Sequence, residues 1–119
     1  MSTRTLIHKP KEISWELAAG IPEVWMTATQ AMSLVGGFSP GKSILWHAGA
    51  STVSIAGIQL SKILGASAVY ATAGTQDKLD HCKSIGATEA WNYREVDWAQ
   101  ELDKVTHGKG VDIIIDFVG

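Results

Sequence analysis

The segment Ser43-Ile44-Leu45-Trp46-His47-Ala48-Gly49-Ala50-Ser51-Thr52-Val53-Ser54 changes character twice in a dozen residues. An apolar run from Ser43 to Ala48 reads as a buried strand, a cluster of small residues follows, and Thr52 to Leu64 has the composition of a helix stopped by Gly65. Downstream the alternation repeats. Ala68 to Thr72 reads as a strand, Gln76 to Ile85 as a helix ending at Gly86, and Ala90 to Asn92 as a short strand. Val96 to Thr106 follows as a helix and Val111 to Val118 as a fourth strand. Strands alternating with helices specify an α/β fold, a parallel sheet with helices on its faces. The expected architecture is a partial Rossmann fold, a doubly wound parallel sheet of about four strands with helices preceding it, against six strands in the complete order 3-2-1-4-5-6.

Upstream, residues 1 to 13 show little periodicity and read as an extended lead-in. Ser14 is placed to cap a helix from Trp15 to Ala19, closed by Gly20, and Pro22 suits the first turn of a second helix reaching Val35. The apolar set Val24, Ala28, Ala31, Met32 and Val35 gives that second helix a core-facing stripe. Two regions are expected: residues 1–42, a lead-in with helices joining a further domain, and residues 43–119, the first part of a nucleotide-binding domain. With strands five and six lacking, the apolar run around Ile113, Ile114 and Ile115 would form a sheet edge on which a second copy could pair, giving a homo-oligomer. A shortened gene product is the expectation for such a chain.

Composition narrows the function classes. The chain has 119 residues, 45% hydrophobic and 18% charged, with a formal net charge of -2, and no run of Lys and Arg offers a nucleic-acid face. One cysteine, Cys82, excludes an internal disulfide, and no Cys-x-x-Cys pair offers a structural zinc lobe. No apolar stretch is long enough for a membrane span. No metal, no nucleic acid, no membrane and a cytoplasmic location are expected.

The candidate chemistry lies at the ends of the first three strands. After the first strand, Gly49 to Ser54 is a small-residue turn into a helix, where backbone N–H groups can hold a pyrophosphate. A complete G-x-G-x-x-G would need glycine at 49, 51 and 54, and Gly49 alone is present. Taken by itself the turn is equally compatible with an ordinary strand-to-helix connection. The second strand ends Ala73-Gly74-Thr75-Gln76-Asp77-Lys78, with no acid between Val69 and Gln76 to accept a ribose 2′-hydroxyl. Instead Gly74 clears space, the Thr75 hydroxyl and the helix N-terminus can donate, and Lys78 adds a cation, which suits the 2′-phosphate of NADPH. The plainer alternative is that Thr75 caps a helix and Lys78 is solvated. Tyr93 offers a ring to an adenosine, and Arg94 reads as surface charge. His8, His47, His81 and His107 lack metal-ligand spacing, and Cys82 reads as a small core residue.

Several blocks taken in order carry a family resemblance: Ile21-Pro22-Glu23-Val24-Trp25-Met26-Thr27-Ala28, His47-Ala48-Gly49-Ala50-Ser51, Ile58-Gln59-Leu60, Thr72-Ala73-Gly74-Thr75 and Asn92-Tyr93. Together they resemble the zinc-free quinone oxidoreductase branch of the medium-chain dehydrogenase/reductase superfamily, from about Lys9 to Gly119. The resemblance implies a GroES-like domain beside a Rossmann domain, NADPH as cofactor, and a small-molecule quinone or enone as hydride acceptor. It places Gly49, Ser51 and Val53 in the pyrophosphate turn, Gly74, Thr75 and Lys78 around the 2′-phosphate, and Tyr93 at the adenosine. It sets Thr27 near the nicotinamide, and Val118 and Gly119 by the nicotinamide ribose. No catalytic residue is assigned. The branch usually continues the turn as Gly-Val-Gly where this chain has Thr52-Val53-Ser54. If those sites demand glycine conformations, strain of roughly 1 to 3 kcal/mol per site is expected. A non-catalytic nucleotide-binding or interaction module and a short-chain dehydrogenase are the alternatives, the latter disfavoured by the forty residues before the first strand and the lack of Tyr-x-x-x-Lys.

Overall fold

The computed structural model describes residues 6–118. Its sheet has four parallel strands, β1 (Ser43–Trp46), β2 (Ala68–Ala73), β3 (Glu89–Asn92) and β4 (Ile113–Ile115), in the order β3-β2-β1-β4. That is the first two-thirds of the expected strand order, with the reversal between β1 and β4 marking where such sheets bind ligands. Register is fixed by apolar pairs: Ile44 lies opposite Val69 and Ile113, and Trp46 opposite Ala71 and Ile115.

Alternation along the strands divides the core in two. Ile44, Trp46, Val69, Ala71, Ile113 and Ile115 face one side, together with Ile58 of α3 (Thr52–Ile63) and Leu79 and Cys82 of α4 (Gln76–Ser84). Leu45, Tyr70 and Trp91 face the other, under Leu102 of α5 (Trp98–Val105). Burial raises the Cys82 thiol above its ordinary range, in keeping with an inert core residue.

The upstream helices depart from expectation. α1 (Trp15–Gly20) is capped by Ser14, whose hydroxyl accepts the Leu17 N–H, but Gly20 does not end it. The chain stays helical through a π turn at Ile21–Trp25, α2 (Met26–Thr29) and a second π turn at Gln30–Val35. Glycine at 20 keeps right-handed helical dihedrals, and Pro22, lacking an N–H, sits where the π turn starts. Ala28 and Met32 are buried as the stripe requires, whereas Val35 is 83% exposed. The wider i→i+5 turn, seen in the bond from Gly36 N–H to the Ala31 carbonyl, carries Val35 off the 3.6-residue stripe.

β4 is also shorter than the run from Val111 to Val118, because Asp112 and Asp116 flank it. Of its three isoleucines, Ile113 and Ile115 are buried and Ile114 is half exposed. Its entry is pinned to β1: the Asp112 carboxylate accepts the Ser43 N–H at 2.8 Å and the Ser43 hydroxyl at 3.2 Å, while the Asp112 N–H donates to that hydroxyl at 3.1 Å. Bonds to the ionised form, first from the Ser43 backbone, hold this carboxyl below its ordinary value of 3.8. A depressed folded pKa stabilises the fold above the unfolded value and loses that contribution as pH falls through the folded one. Asp112→Asn is therefore expected to lower the urea midpoint more near pH 6 than near pH 2.5. Equal losses at both pH values would contradict the role of the charge.

Candidate functional site

At the carboxyl end of β1 the chain turns sharply at Ala48, which takes a left-handed φ of 50°. Gly49 follows, buried, with its N–H donating to the Thr72 carbonyl at 2.8 Å. A Cβ on Gly49 would lie 2.7 Å from Cys82 Sγ and 2.9 Å from Ala71 Cβ, so glycine here lets the turn sink onto β2. Ser51, extended at φ -72° and ψ 154°, caps α3 by accepting the Ser54 N–H. Ser54 is fully buried and its hydroxyl donates to the His47 carbonyl at 2.9 Å. Positions 51, 52 and 54 all keep negative φ, so serine and threonine there carry none of the anticipated glycine strain. The strained non-glycine residue in this turn is Ala48.

This cap leaves donors for an anion. The N–H groups of Thr52 and Val53 hold no hydrogen bond among the described residues, and they open the positive end of α3. Val53 thus offers its backbone, while its side chain packs against the core. Gly57, one turn further, escaped the sequence reading. A Cβ there would collide with the ring of buried Trp46, whose indole N–H donates to Ser61 Oγ at 3.0 Å. The close helix-to-strand approach reserved for the third glycine of G-x-G-x-x-G is made at Gly57 instead. A glycine inside a helix, downstream of a tryptophan in the preceding strand, was the available signal.

Beyond β2, Thr75 caps α4 by accepting the Lys78 N–H at 3.4 Å, which leaves its own proton free to donate. A small hollow of about 240 Å³ is lined by Ala48, Ser51, Gly74, Lys78 and Tyr93, among others. The Lys78 ammonium has no partner among the described residues. Asp77, the nearest acid in sequence, does not line the hollow. Gly74 is pressed from above, since a Cβ on it would meet Tyr93 Oη at 3.0 Å and Arg94 Nε at 3.3 Å. Asn92 turns this loop back by accepting the Arg94 N–H at 2.9 Å. Arg94 is exposed and does not line this hollow, though its Nε stands over Gly74.

A second hollow of about 390 Å³ adjoins the first through Ala48 and Tyr93 and is lined also by His47, Thr72, Trp98, Asp116 and Val118. His47 is held there by a 2.8 Å contact from Nδ1 to Thr72 Oγ1 and by the edge of Trp98, ring centroids 4.7 Å apart. The two hollows run along the carboxyl ends of the strands and across the β1/β4 reversal. Ser51, Gly74, Lys78 and Tyr93 meet there; Gly49 is buried beside them, and Thr75 lines neither hollow but caps α4. Thr27 sits on α2 and lines neither hollow, and Gly119 lies outside the described residues. A more apolar hollow of about 320 Å³ beside Trp15, Ile21 and Met26 offers an anion nothing, because its Lys9 ammonium is spent on the Pro10 and Ile13 carbonyls. Among the described residues no group of three or more His, Cys, Asp or Glu is gathered to hold a metal, and no helix is long and apolar enough to cross a membrane.

Known proteins with this arrangement are reductases and dehydrogenases. A quinone oxidoreductase of Escherichia coli complexed with NADPH superposes with a TM-score of 0.87 at 33% identity, covering 95% of this chain and 34% of that one. The CurK enoyl reductase superposes at 0.86 and 33% identity, covering 98% and 34%. An NAD-dependent alcohol dehydrogenase does so at 0.86 and 44% identity, covering 95% and 33%. The low-reducing polyketide synthase drtA of Aspergillus calidoustus is 36% identical over 112 residues, 92% of this chain but 5% of the synthase. The chain thus spans about a third of these solved structures and a twentieth of that synthase. Residues 52–119 match the family model described as zinc-binding dehydrogenase. That match sets aside the short-chain dehydrogenase reading. With the sheet order, the β1/β4 reversal and these likenesses in agreement, the chain belongs to the zinc-binding dehydrogenase family of the medium-chain dehydrogenase/reductase superfamily.

Proposed function

We propose that the chain is part of the NADPH-binding domain of a zinc-free reductase whose hydride acceptor is a double bond conjugated to a carbonyl, in a quinone or an enone. The observation that carries this reading is the end of β2, where Gly74, Thr75 and Lys78 offer space, a hydroxyl and an unpaired ammonium and no carboxylate lines the hollow. A carboxylate there would accept a free ribose hydroxyl, whereas a cation with a helix N-terminus suits a phosphate. Support for the acceptor comes from the solved neighbours named quinone oxidoreductase and enoyl reductase, since a quinone and an enoyl group share the conjugated carbonyl.

The roles of the residues follow from their positions. The free N–H groups of Thr52 and Val53 and the dipole of α3 receive the diphosphate. Lys78 and the Thr75 hydroxyl receive the 2′-phosphate, and Tyr93 gives the adenosine an aromatic face. Bound NADPH supplies the hydride; the chain's part is to hold it in place rather than to act as a strong acid or base. The domain division at residue 42 and a homo-oligomer through the β4 edge belong to the same proposal.

The 44% identity to an NAD-dependent alcohol dehydrogenase favours a second reading, in which NADH is the cofactor. Calorimetric titration with both dinucleotides at one salt concentration separates them. Two charge-assisted bonds to the extra phosphate predict NADPH tighter by about 10-fold or more. NADH binding as tightly as NADPH, or more tightly, would overturn the NADPH assignment.

A further inference from the structure

Ala48 holds a backbone conformation that alanine disfavours, φ 50°, where the chain leaves β1 and turns towards α3. Glycine would take the same dihedral at little cost, so groups outside residue 48 must enforce it. Both of its neighbours are tied to Thr72 on β2. The Gly49 N–H donates to the Thr72 carbonyl at 2.8 Å, and the His47 imidazole meets the Thr72 hydroxyl through Nδ1, also at 2.8 Å. Thr72 is 2% exposed and lies opposite Trp91 of β3, so it is a fixed post. His47 is held on its other sides as well. Its N–H donates to the Ile115 carbonyl at 3.0 Å, its carbonyl accepts the Ser54 hydroxyl at 2.9 Å, and Trp98 stands against its ring at 75°. The Ala48 carbonyl in turn accepts the Ser51 N–H at 2.8 Å, which seats the serine that caps α3.

We propose that His47 is a positioning residue: by gripping Thr72 it keeps Ala48 left-handed, and so keeps the N-terminus of α3 preorganised for an anion. The proposal rests on the reading of that N-terminus as the seat of the diphosphate, and it adds how the seat is held. With the imidazole removed, the turn is tied to Thr72 through the Gly49 N–H alone, and rotation of Ala48 into its ordinary range breaks no side-chain contact of residue 47. Ser51 would follow that rotation, because its N–H is bonded to the Ala48 carbonyl. The cap it forms on Ser54 N–H would shift, and the Thr52 and Val53 N–H groups with it. His47 thus acts on the anion through the turn and touches no reacting atom.

The test is a cycle of His47→Ala, Ala48→Gly and the double variant in the whole chain, read by thermal unfolding and by calorimetric titration with NADPH and NADH. Ala48→Gly is expected to raise Tm by about 3 °C while His47 is present and by less than about 1 °C after His47→Ala, because the strain it relieves exists only under the clamp. His47→Ala is expected to weaken NADPH and NADH alike by roughly 5- to 30-fold, the extent to which an unclamped alanine avoids the left-handed region. Made in the Ala48→Gly chain, the same substitution should weaken them by less than about 3-fold, since glycine enters that region unaided. Thr72→Val keeps the carbonyl and removes the hydroxyl, and it should reproduce both the weakening and its rescue by Ala48→Gly, which covers the case of a poorly folded His47→Ala chain. Equal Tm gains in both backgrounds, or a loss of affinity that Ala48→Gly does not reduce, would overturn the proposal and leave the dinucleotide reading standing. Failure of the unaltered chain to bind either dinucleotide would overturn both.

Discussion

Gly57→Ala is expected to cost about 3 kcal/mol of folding free energy and to lower Tm by roughly 10 °C. The reason is confined to one contact. Trp46 is fully buried on β1, and its ring lies against the bare backbone of α3 at Gly57. The indole cannot slide aside, because its N–H donates to Ser61 Oγ and that hydroxyl in turn donates to the Gly57 carbonyl at 2.6 Å. An added methyl must therefore lift the helix or expel the ring, and either opens the larger of the two core clusters. In an exposed helix the same change would stabilise by about 1 kcal/mol, so the sign of the result is diagnostic. Chemical denaturation of the variant measures it. A loss below about 0.5 kcal/mol would show that the helix and strand do not depend on this approach. Trp46→Leu in the same chain should restore part of the loss by returning the space.

Lys78→Glu is expected to weaken NADPH by on the order of 100-fold or more while leaving NADH within a few-fold of its starting affinity. The substitution removes an unpaired ammonium from the hollow beside Gly74 and places a carboxylate where the proposed site seats a dianion. Attraction is lost and repulsion gained at one site, so the effect exceeds that of alanine. The backbone N–H of residue 78 still reaches Thr75 Oγ1, and the α4 cap is kept. The new acid also sits near the ribose, where it can accept a hydroxyl, and NADH is the ligand that gains. Parallel titrations at fixed ionic strength read the ratio. Equal weakening of both dinucleotides would place the lysine outside the phosphate contact.

Much of this fold is legible in the sequence because the strands and helices on either side of Gly49 have distinct periods and clean stops. Strand alternation, the glycines at 65 and 86 and the serine and threonine caps at 51 and 75 act locally, and each element forms where those signals put it. The upstream helix is different. Gly20 and Pro22 are local breakers, yet helical dihedrals continue past both, since Val24, Ala28 and Met32 find a core to pack on and a π turn absorbs the missing N–H. The fourth strand reads long because its isoleucines look uniform. Its true length is set by Asp112, spent on Ser43, and by Asp116 just beyond, and the Asp112 pairing is long-range.

The site follows the same division. Small residues and a missing acid are visible in a linear chain, and they single out Gly74, Thr75 and Lys78. That Ser51 and Ser54 are free of strain depends on φ values that letters do not carry, and the strain rests on Ala48, a residue that drew no notice. Gly57 acts through what lies across from it, the ring of Trp46. No spacing rule joins residues that meet only after the sheet has formed.

Whether the hollow past β2 receives a phosphate on the adenosine ribose is decided by a crystal structure of the chain soaked with NADPH. Phosphate density is expected within hydrogen-bonding reach of the Lys78 ammonium and the Thr75 hydroxyl, with the diphosphate on the N–H groups of Thr52 and Val53. A bound dinucleotide whose 2′-phosphate points to solvent, or a hollow left empty at saturating NADPH, would contradict it.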